Sequence, residues 1–190
     1  MHRLTIGETV LELTRGDITR QPDLDAVVNA ANAQLAPGGG VAGAIHRAAG
    51  PELMDACRPL APITPGQAVI TGAGRMPNAR IIHCLGPVYG ADEPADRLLA
   101  DCYRNALAIA EREALVSVGF PALSTGAFGY PMREAAEVAL GTLLRAMPSL
   151  ASVRTLRFVL FSDADLAVHG EVLASLAPDP GHRGTAVERW

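Results

Sequence analysis

The chain has 190 residues, 49% of them hydrophobic and 19% charged, a size and balance that suit one domain around one core and exclude a disordered chain. Its formal charge of −4 gives no general attraction to nucleic acid or anionic membranes, so a phosphate-binding site has to rely on local backbone N–H groups. No apolar run reaches the roughly 18–20 residues that span a bilayer, and the segment MHRLTIGETV has no signal-peptide apolar region; the expectation is a cytoplasmic protein with no membrane partner.

In chain order, Arg3 to Thr14 holds two short β-like runs around Gly7-Glu8, with Leu11 and Leu13 alternating against Glu12 and Thr14 as in a half-buried strand. Gly16-Asp17 and a turn at Pro22 follow, then a short buried strand, Asp25 to Val28, running into Asn29. A loop from Gln34 ends in Gly38-Gly39-Gly40. Val41, Ile45 and Ala48 then fall at helical spacing, which predicts a helix over Val41–Ala49. A second short helix is predicted over Pro51–Arg58, and strands over Ala68–Thr71 and Arg80–Leu85, the latter stopped by Gly86-Pro87. Pro94–Glu113 reads as a long helix with Leu99, Cys102, Tyr103, Ala106, Leu107 and Ala110 on its apolar face. Leu115–Phe120 reads as a buried strand. After the loop Pro121–Tyr130, Pro131 suits a first helical residue. A final strand over Thr155–Phe161 precedes a helix, Ala164–Leu176, capped by Asp163.

The predicted organisation is therefore one α/β domain over residues 1–176 and a flexible tail over 177–190. Strands alternating with helices imply a sheet covered on both faces. Cys57, Cys84 and Cys102 are odd in number and widely spaced; they read as small core residues. No His/Cys/Asp cluster has ligand spacing, so neither a metal nor a cofactor is expected.

Chemistry concentrates in three segments. Gly38 to Gly43 places glycines, which admit positive φ and close ligand approach, at a helix start, where free N–H groups and the dipole favour an anion. The six residues formally fit G-x-G-x-x-G. However, Asn29 to Pro37 separate them from the strand, and no acidic residue ends a second strand about 20 residues on, which argues against a dinucleotide fold. The absence of G-K-[ST] excludes a P-loop. Ser124-Thr125-Gly126-Ala127-Phe128-Gly129 also lies between a buried strand and a helix, so two small-residue loops at one sheet edge could grip a diphosphate. Asn29-Ala30-Ala31-Asn32 brings two amides to a strand end. Asp17 suits either an exocyclic amine or a local cap. His46 and Arg47 read as packing and surface residues of a helix.

Taken together and in order, these segments resemble the macrodomain family, and within it the MacroD-type branch. The matching stretches are Gly16-Asp17-Ile18-Thr19, Val27 to Asn32, Gly38 to Gly50 (GGGVAGAIHRAAG), Ile82 to Pro87 and Pro121 to Pro131 (PALSTGAFGYP), in one frame over residues 8–176. The resemblance implies a three-layer α/β/α fold with a mixed, mostly parallel sheet, and ADP-ribose as ligand. It implies Asp17 at the adenine amine, Ile18 lining the adenine pocket and Phe161 packing on adenine. It also implies Asn32 at the distal ribose, Gly39, Gly40 and Val41 as one phosphate wall, Ser124, Thr125, Gly126 and Ala127 as the other, and Phe128 on the distal ribose.

The same resemblance implies hydrolysis of ADP-ribosyl esters, on mono-ADP-ribosylated Asp or Glu side chains or in O-acetyl-ADP-ribose. The partners would be ADP-ribosylated macromolecules, nucleic acid included only where it carries ADP-ribose. MacroD-type enzymes usually carry Asp where this chain has Ala42, so a general base at that position is ruled out. A substrate-assisted route remains, in which the ligand's own phosphate holds the water while Asn32, Gly40 and Phe128 fix ribose and phosphate. A non-catalytic ADP-ribose reader is the alternative, and another nucleotide-binding α/β protein a third.

Overall fold

The structure, a computed structural model, describes residues 1–177 and the strand at 187–189. The elements in chain order are β1 (His2–Ile6), β2 (Thr9–Arg15), β3 (Ala26–Ala30), α1 (Gly40–Ala49), α2 (Glu52–Cys57), β4 (Ala68–Gly72), β5 (Arg80–Cys84), α3 (Ala95–Arg112), β6 (Ser117–Phe120), α4 (Met132–Ala146), β7 (Thr155–Leu160), α5 (Asp163–Leu176) and β8 (Val187–Arg189). They form one sheet of order β4-β5-β3-β6-β7-β2-β1-β8. Its five central strands, β5-β3-β6-β7-β2, are parallel, while β4, β1 and β8 pair antiparallel at the two flanks. The expected mixed, mostly parallel α/β/α sandwich is the fold observed.

The central strands read as unbroken apolar runs because both of their faces are covered. Val28, Ile82 and Phe158 point into a core shared with Leu99 and Tyr103 of α3, Leu140 and Leu143 of α4, and Val172 of α5. Their neighbours Val27 and Ile81 point the other way, toward Ile45 and Ala49 of α1 and Leu53 of α2, as a period of two requires. Aromatics are scarce, and two of the four phenylalanines sit in the larger core. Phe120, Phe158 and Tyr103 form a triangle with ring centroids 5.5–5.9 Å apart, each pair adding about 0.5–1.5 kcal/mol beyond area burial. The three cysteines are free and buried.

Some boundaries differ from the sequence reading. Pro131 is the N-cap of α4, with an extended ψ of 132°, rather than its first helical residue. Ser162, not Asp163, caps α5, its Oγ accepting from the Asp165 N–H at 3.1 Å. The hydroxyl sits on the residue that is still extended and can reach forward to the free N–H. Thr155–Leu160 is not the last strand, because β8 adds a short edge to β1. The remainder of the tail expected to be flexible, 178–186 and 190, lies outside the described residues. Among the described residues, no helix is long and apolar enough to cross a membrane.

Candidate functional site

The carboxyl ends of β3 and β6 are neighbours in the sheet, but their chains leave toward opposite faces, β3 into α1 and β6 into α4. Such a divergence opens a crevice at the strand ends. A cleft of about 290 Å³ lies there, lined by Ala30, Ala31, Asn32, the run 38–42, Gly86, Ser124, Gly126, Ala127 and Phe128. The two small-residue loops thus face each other across one edge.

One wall is the start of α1. Gly39 is its N-cap, with no side chain capping the helix and no acidic residue in the first turn, so the positive end of the helix faces the cleft without a local counter-charge. Gly40 has φ +57°. The wall is held tightly against its helix: a Cβ on Gly43 would overlap the Gly38 carbonyl oxygen.

The other wall turns at Ser124, a non-glycine residue at φ +65°. Tyr130 N–H donates to the Ser124 carbonyl at 2.9 Å and Gly129 N–H to that of Gly126 at 3.0 Å, which holds the loop in a tight arch. Ser124 lines the cleft, but its hydroxyl is buried, without a hydrogen-bond partner, against Gly86. It occupies the space that a Cβ on Gly86 would need. Gly86 lines the site, whereas the sequence reading gave it no site role, naming it as a strand terminator within the Ile82 to Pro87 stretch.

Eight of the predicted residues come together here: Asn32, Gly39, Gly40, Val41, Ser124, Gly126, Ala127 and Phe128. Thr125 does not line the cleft; its hydroxyl turns back to the Ala122 carbonyl at 2.8 Å and braces the arch from behind. Phe128 is half-buried, its ring packed on the α1–α2 side of the core with one surface on the cleft. Asn32 spends both ends of its amide on the loop, Nδ2 donating to the Ala36 carbonyl at 2.8 Å and Oδ1 accepting from the Ala36 N–H at 3.0 Å.

Asp17, Ile18 and Phe161 lie outside the cleft, further along the same edge. Gly16 N–H donates to the Leu160 carbonyl at 2.9 Å, so Asp17 and Phe161 follow the ends of paired strands. Phe161 is 90% exposed, a flat apolar ring on open surface. Ile18 is buried beside Gly119, beneath this surface. Asp17 accepts from the hydroxyl and backbone N–H of Thr19, which hold its carboxyl below the usual range against a smaller opposing effect of burial.

Beneath the cleft, Asn29 Nδ2 donates to His83 Nδ1 at 3.1 Å. The Thr71 hydroxyl donates to the Gly72 carbonyl and accepts from His83 Nε2 at 2.8 Å. This arrangement fixes a neutral imidazole, and burial, reinforced by nearby His46, holds His83 at about 4. Unfolding restores an ordinary imidazole, so the unfolded chain takes up the proton first and stability falls as pH drops from about 6.5 toward 4. About 3 kcal/mol is lost over that window, a loss that a His83→Gln variant escapes; urea unfolding at a series of pH values measures the difference.

Among the described residues, no titratable side chain lines the cleft and no cluster of His, Cys, Asp and Glu could hold a metal. What the cleft offers is backbone N–H groups and an aromatic face, a set that suits a diphosphate carrying sugars.

Comparison with known proteins agrees with this geometry. Residues 28–139 match the family model described as Macro domain. The chain is 43% identical over 175 residues to the O-acetyl-ADP-ribose deacetylase of Salmonella typhimurium, covering 90% of this chain and 97% of that protein. It superposes on the Oceanobacillus iheyensis macrodomain with ADP at a TM-score of 0.88 and 40% identity, covering 93% of this chain and 95% of that one. It superposes on the Trypanosoma brucei macrodomain in complex with ADP-ribose at 0.80 and 34%, covering 86% and 68%. Fold, loops and kinship agree, and the chain belongs to the macrodomain family.

Proposed function

We propose that this protein binds ADP-ribose along the carboxyl edge of its sheet and hydrolyses ADP-ribosyl esters, O-acetyl-ADP-ribose among them. The observation that carries the reading is the pair of N–H-rich walls facing each other across a cleft with no charged side chain. The diphosphate sits between Gly39–Val41 and Ser124–Ala127, and the distal ribose lies against Phe128 and Asn32. Adenine reaches Phe161, Ile18 and Asp17. The name of the 43% identical relative and the ADP-ribose complex of the trypanosomal macrodomain support the same ligand.

With Ala42 at the wall, the protein supplies position rather than a base. A water held by a non-bridging diphosphate oxygen attacks the ester carbonyl and passes its proton to that oxygen. The bond from the carbonyl carbon to the ribose oxygen then breaks, the ribose oxygen takes that proton back from the phosphate oxygen, and ADP-ribose and a carboxylic acid leave. Fixing both partners in a preorganised site supplies most of the acceleration. Because no lining side chain titrates, kcat/KM is expected to stay level within about twofold between roughly pH 5.5 and 8. A bell-shaped profile in stopped assays would show that a protein group takes the proton.

Ala42 also favours a second reading, a reader that binds the modification and leaves it in place. Parallel incubations with O-acetyl-ADP-ribose and with glutamate-linked, serine-linked and DNA-linked ADP-ribose separate the two. Release from the acyl esters is the expected result; tight binding with no release from any substrate makes the protein a reader.

A further inference from the structure

Asp17 divides its carboxylate between two tasks. Oδ1 accepts from the Thr19 N–H at 2.9 Å and the Thr19 hydroxyl at 2.7 Å. Oδ2 stays at the surface, with Arg20 Nε 3.7 Å away. Where Oδ2 points depends on how the backbone at Asp17 is held, and the strand holds only Gly16. The other holds are the Arg20 N–H, which donates to the Asp17 carbonyl at 3.0 Å in a local turn, and Gln21, which is nearly buried and donates from Nε2 to the same carbonyl at 2.9 Å.

Gln21 is itself oriented. Its Oε1 accepts from Arg157 Nη1 at 3.1 Å, which settles which end of the amide faces Asp17. Arg157, with a side chain only 15% exposed, is fixed in turn. Its Nε donates to Glu12 Oε2 at 2.8 Å, and Nη1 and Nη2 donate to the two oxygens of Asp23 at 2.9 and 2.8 Å, the fork geometry that only a guanidinium supplies. Asn78 Nδ2 closes the frame on the carbonyls of Gln21 and Leu24 at 2.8 and 2.7 Å. A stretch of loop without regular structure is thus pinned from β2, β7 and a distant turn. Within this frame the bond from Gln21 Nε2 is the one that reaches Asp17, while the others hold Gln21, Asp23 and Leu24 in place around it.

We infer that Gln21, oriented by Arg157, is a positioning residue that sets base selectivity: it fixes the Asp17 backbone so that Oδ2 accepts from a purine 6-amino group and repels a purine 6-carbonyl. The inference rests on the reading of Asp17 as the acceptor for adenine, and the test separates the two. A carboxylate facing a carbonyl leaves two acceptors unpaired, so discrimination is steep when the geometry is fixed and weak when it wanders.

The experiment is calorimetry of the full chain with ADP-ribose and with its hypoxanthine counterpart. The wild-type protein is expected to prefer ADP-ribose at least tenfold, and Asp17→Ala to bring the ratio near one. Gln21→Ala, and Gln21→Glu, which keeps a partner for Arg157 but turns an acceptor toward the Asp17 carbonyl, are expected to cut the ratio at least threefold, with the hypoxanthine affinity moved less than twofold. KM for an ADP-ribosyl ester should rise more than kcat falls. If Asp17→Ala keeps the wild-type ratio, Asp17 is not the acceptor and both readings fall. If Asp17→Ala collapses the ratio while both Gln21 variants keep it, the frame is only structural and this inference alone is overturned, whatever the Tm of the variants.

Discussion

Replacing Gly40 by Glu is expected to abolish ADP-ribose binding at any practical ligand concentration. Two effects act, and their sizes differ. Gly40 has φ +57°, a conformation that costs an L-residue about 1–2 kcal/mol, but a Cβ there meets nothing within 4 Å, so the protein still folds. The larger effect is charge. Taking a separation of about 4 Å between the new carboxylate and the diphosphate and an effective dielectric of about 20, the repulsion is on the order of 4 kcal/mol, roughly a thousandfold in Kd. Gly40→Ala carries the strain without the charge and separates the two; a loss of no more than about tenfold is expected for it. Titration calorimetry of both variants at fixed salt is the measurement. A Glu variant that still binds like the Ala variant would remove Gly38–Val41 from the phosphate site.

That loop was legible in the sequence because its signals are local: three glycines, then apolar residues at helical spacing. The buried strands were legible for the same reason, since Ala26–Val28 and Val118–Phe120 are short apolar runs with covered faces. What stayed hidden depends on partners far along the chain. Gly86 looks like a strand terminator until Ser124, 38 residues later, is seen to fill the space its side chain would take. Gln21 is an unremarkable loop residue until Arg157, 136 positions away, meets it. Thr125 belongs to the right segment, yet its hydroxyl turns back on Ala122, and only the arch of the loop decides that. β8 escaped because three residues, Val187-Glu188-Arg189, carry no periodic signal, and the pairing with β1 is non-local. The sequence reading placed the cap of α5 on Asp163; the backbone conformation, which composition does not encode, puts it on Ser162.

The remaining large effect is expected from a change that adds a single methyl group. Gly43→Ala lies one turn inside α1, where alanine is the best helix former and an exposed site would gain up to about 1 kcal/mol. Here the sign reverses. The new Cβ would overlap the Gly38 carbonyl oxygen, with the Gly38 carbonyl carbon only 3.3 Å away and Arg47 Nη1 at 3.1 Å. The arginine can move aside; the backbone oxygen cannot without carrying the loop with it. Overpacking of this kind costs about 1–3 kcal/mol, roughly 2–10 °C in Tm for a domain of this size. The functional loss should exceed the stability loss, because the displaced segment is the phosphate wall itself, and a shift of about 1 Å there costs on the order of a hundredfold in turnover. Gly39→Ala is the matching control. Its φ of −81° suits any L-residue and a Cβ there meets no protein atom within 4 Å, so its Tm should move by no more than a degree or two. Thermal melts of the pair, and the ester-hydrolysis rate of Gly43→Ala against the wild type, decide the matter. Were Gly43→Ala as stable and active as the wild type, the close seating of loop on helix would not be what shapes the site.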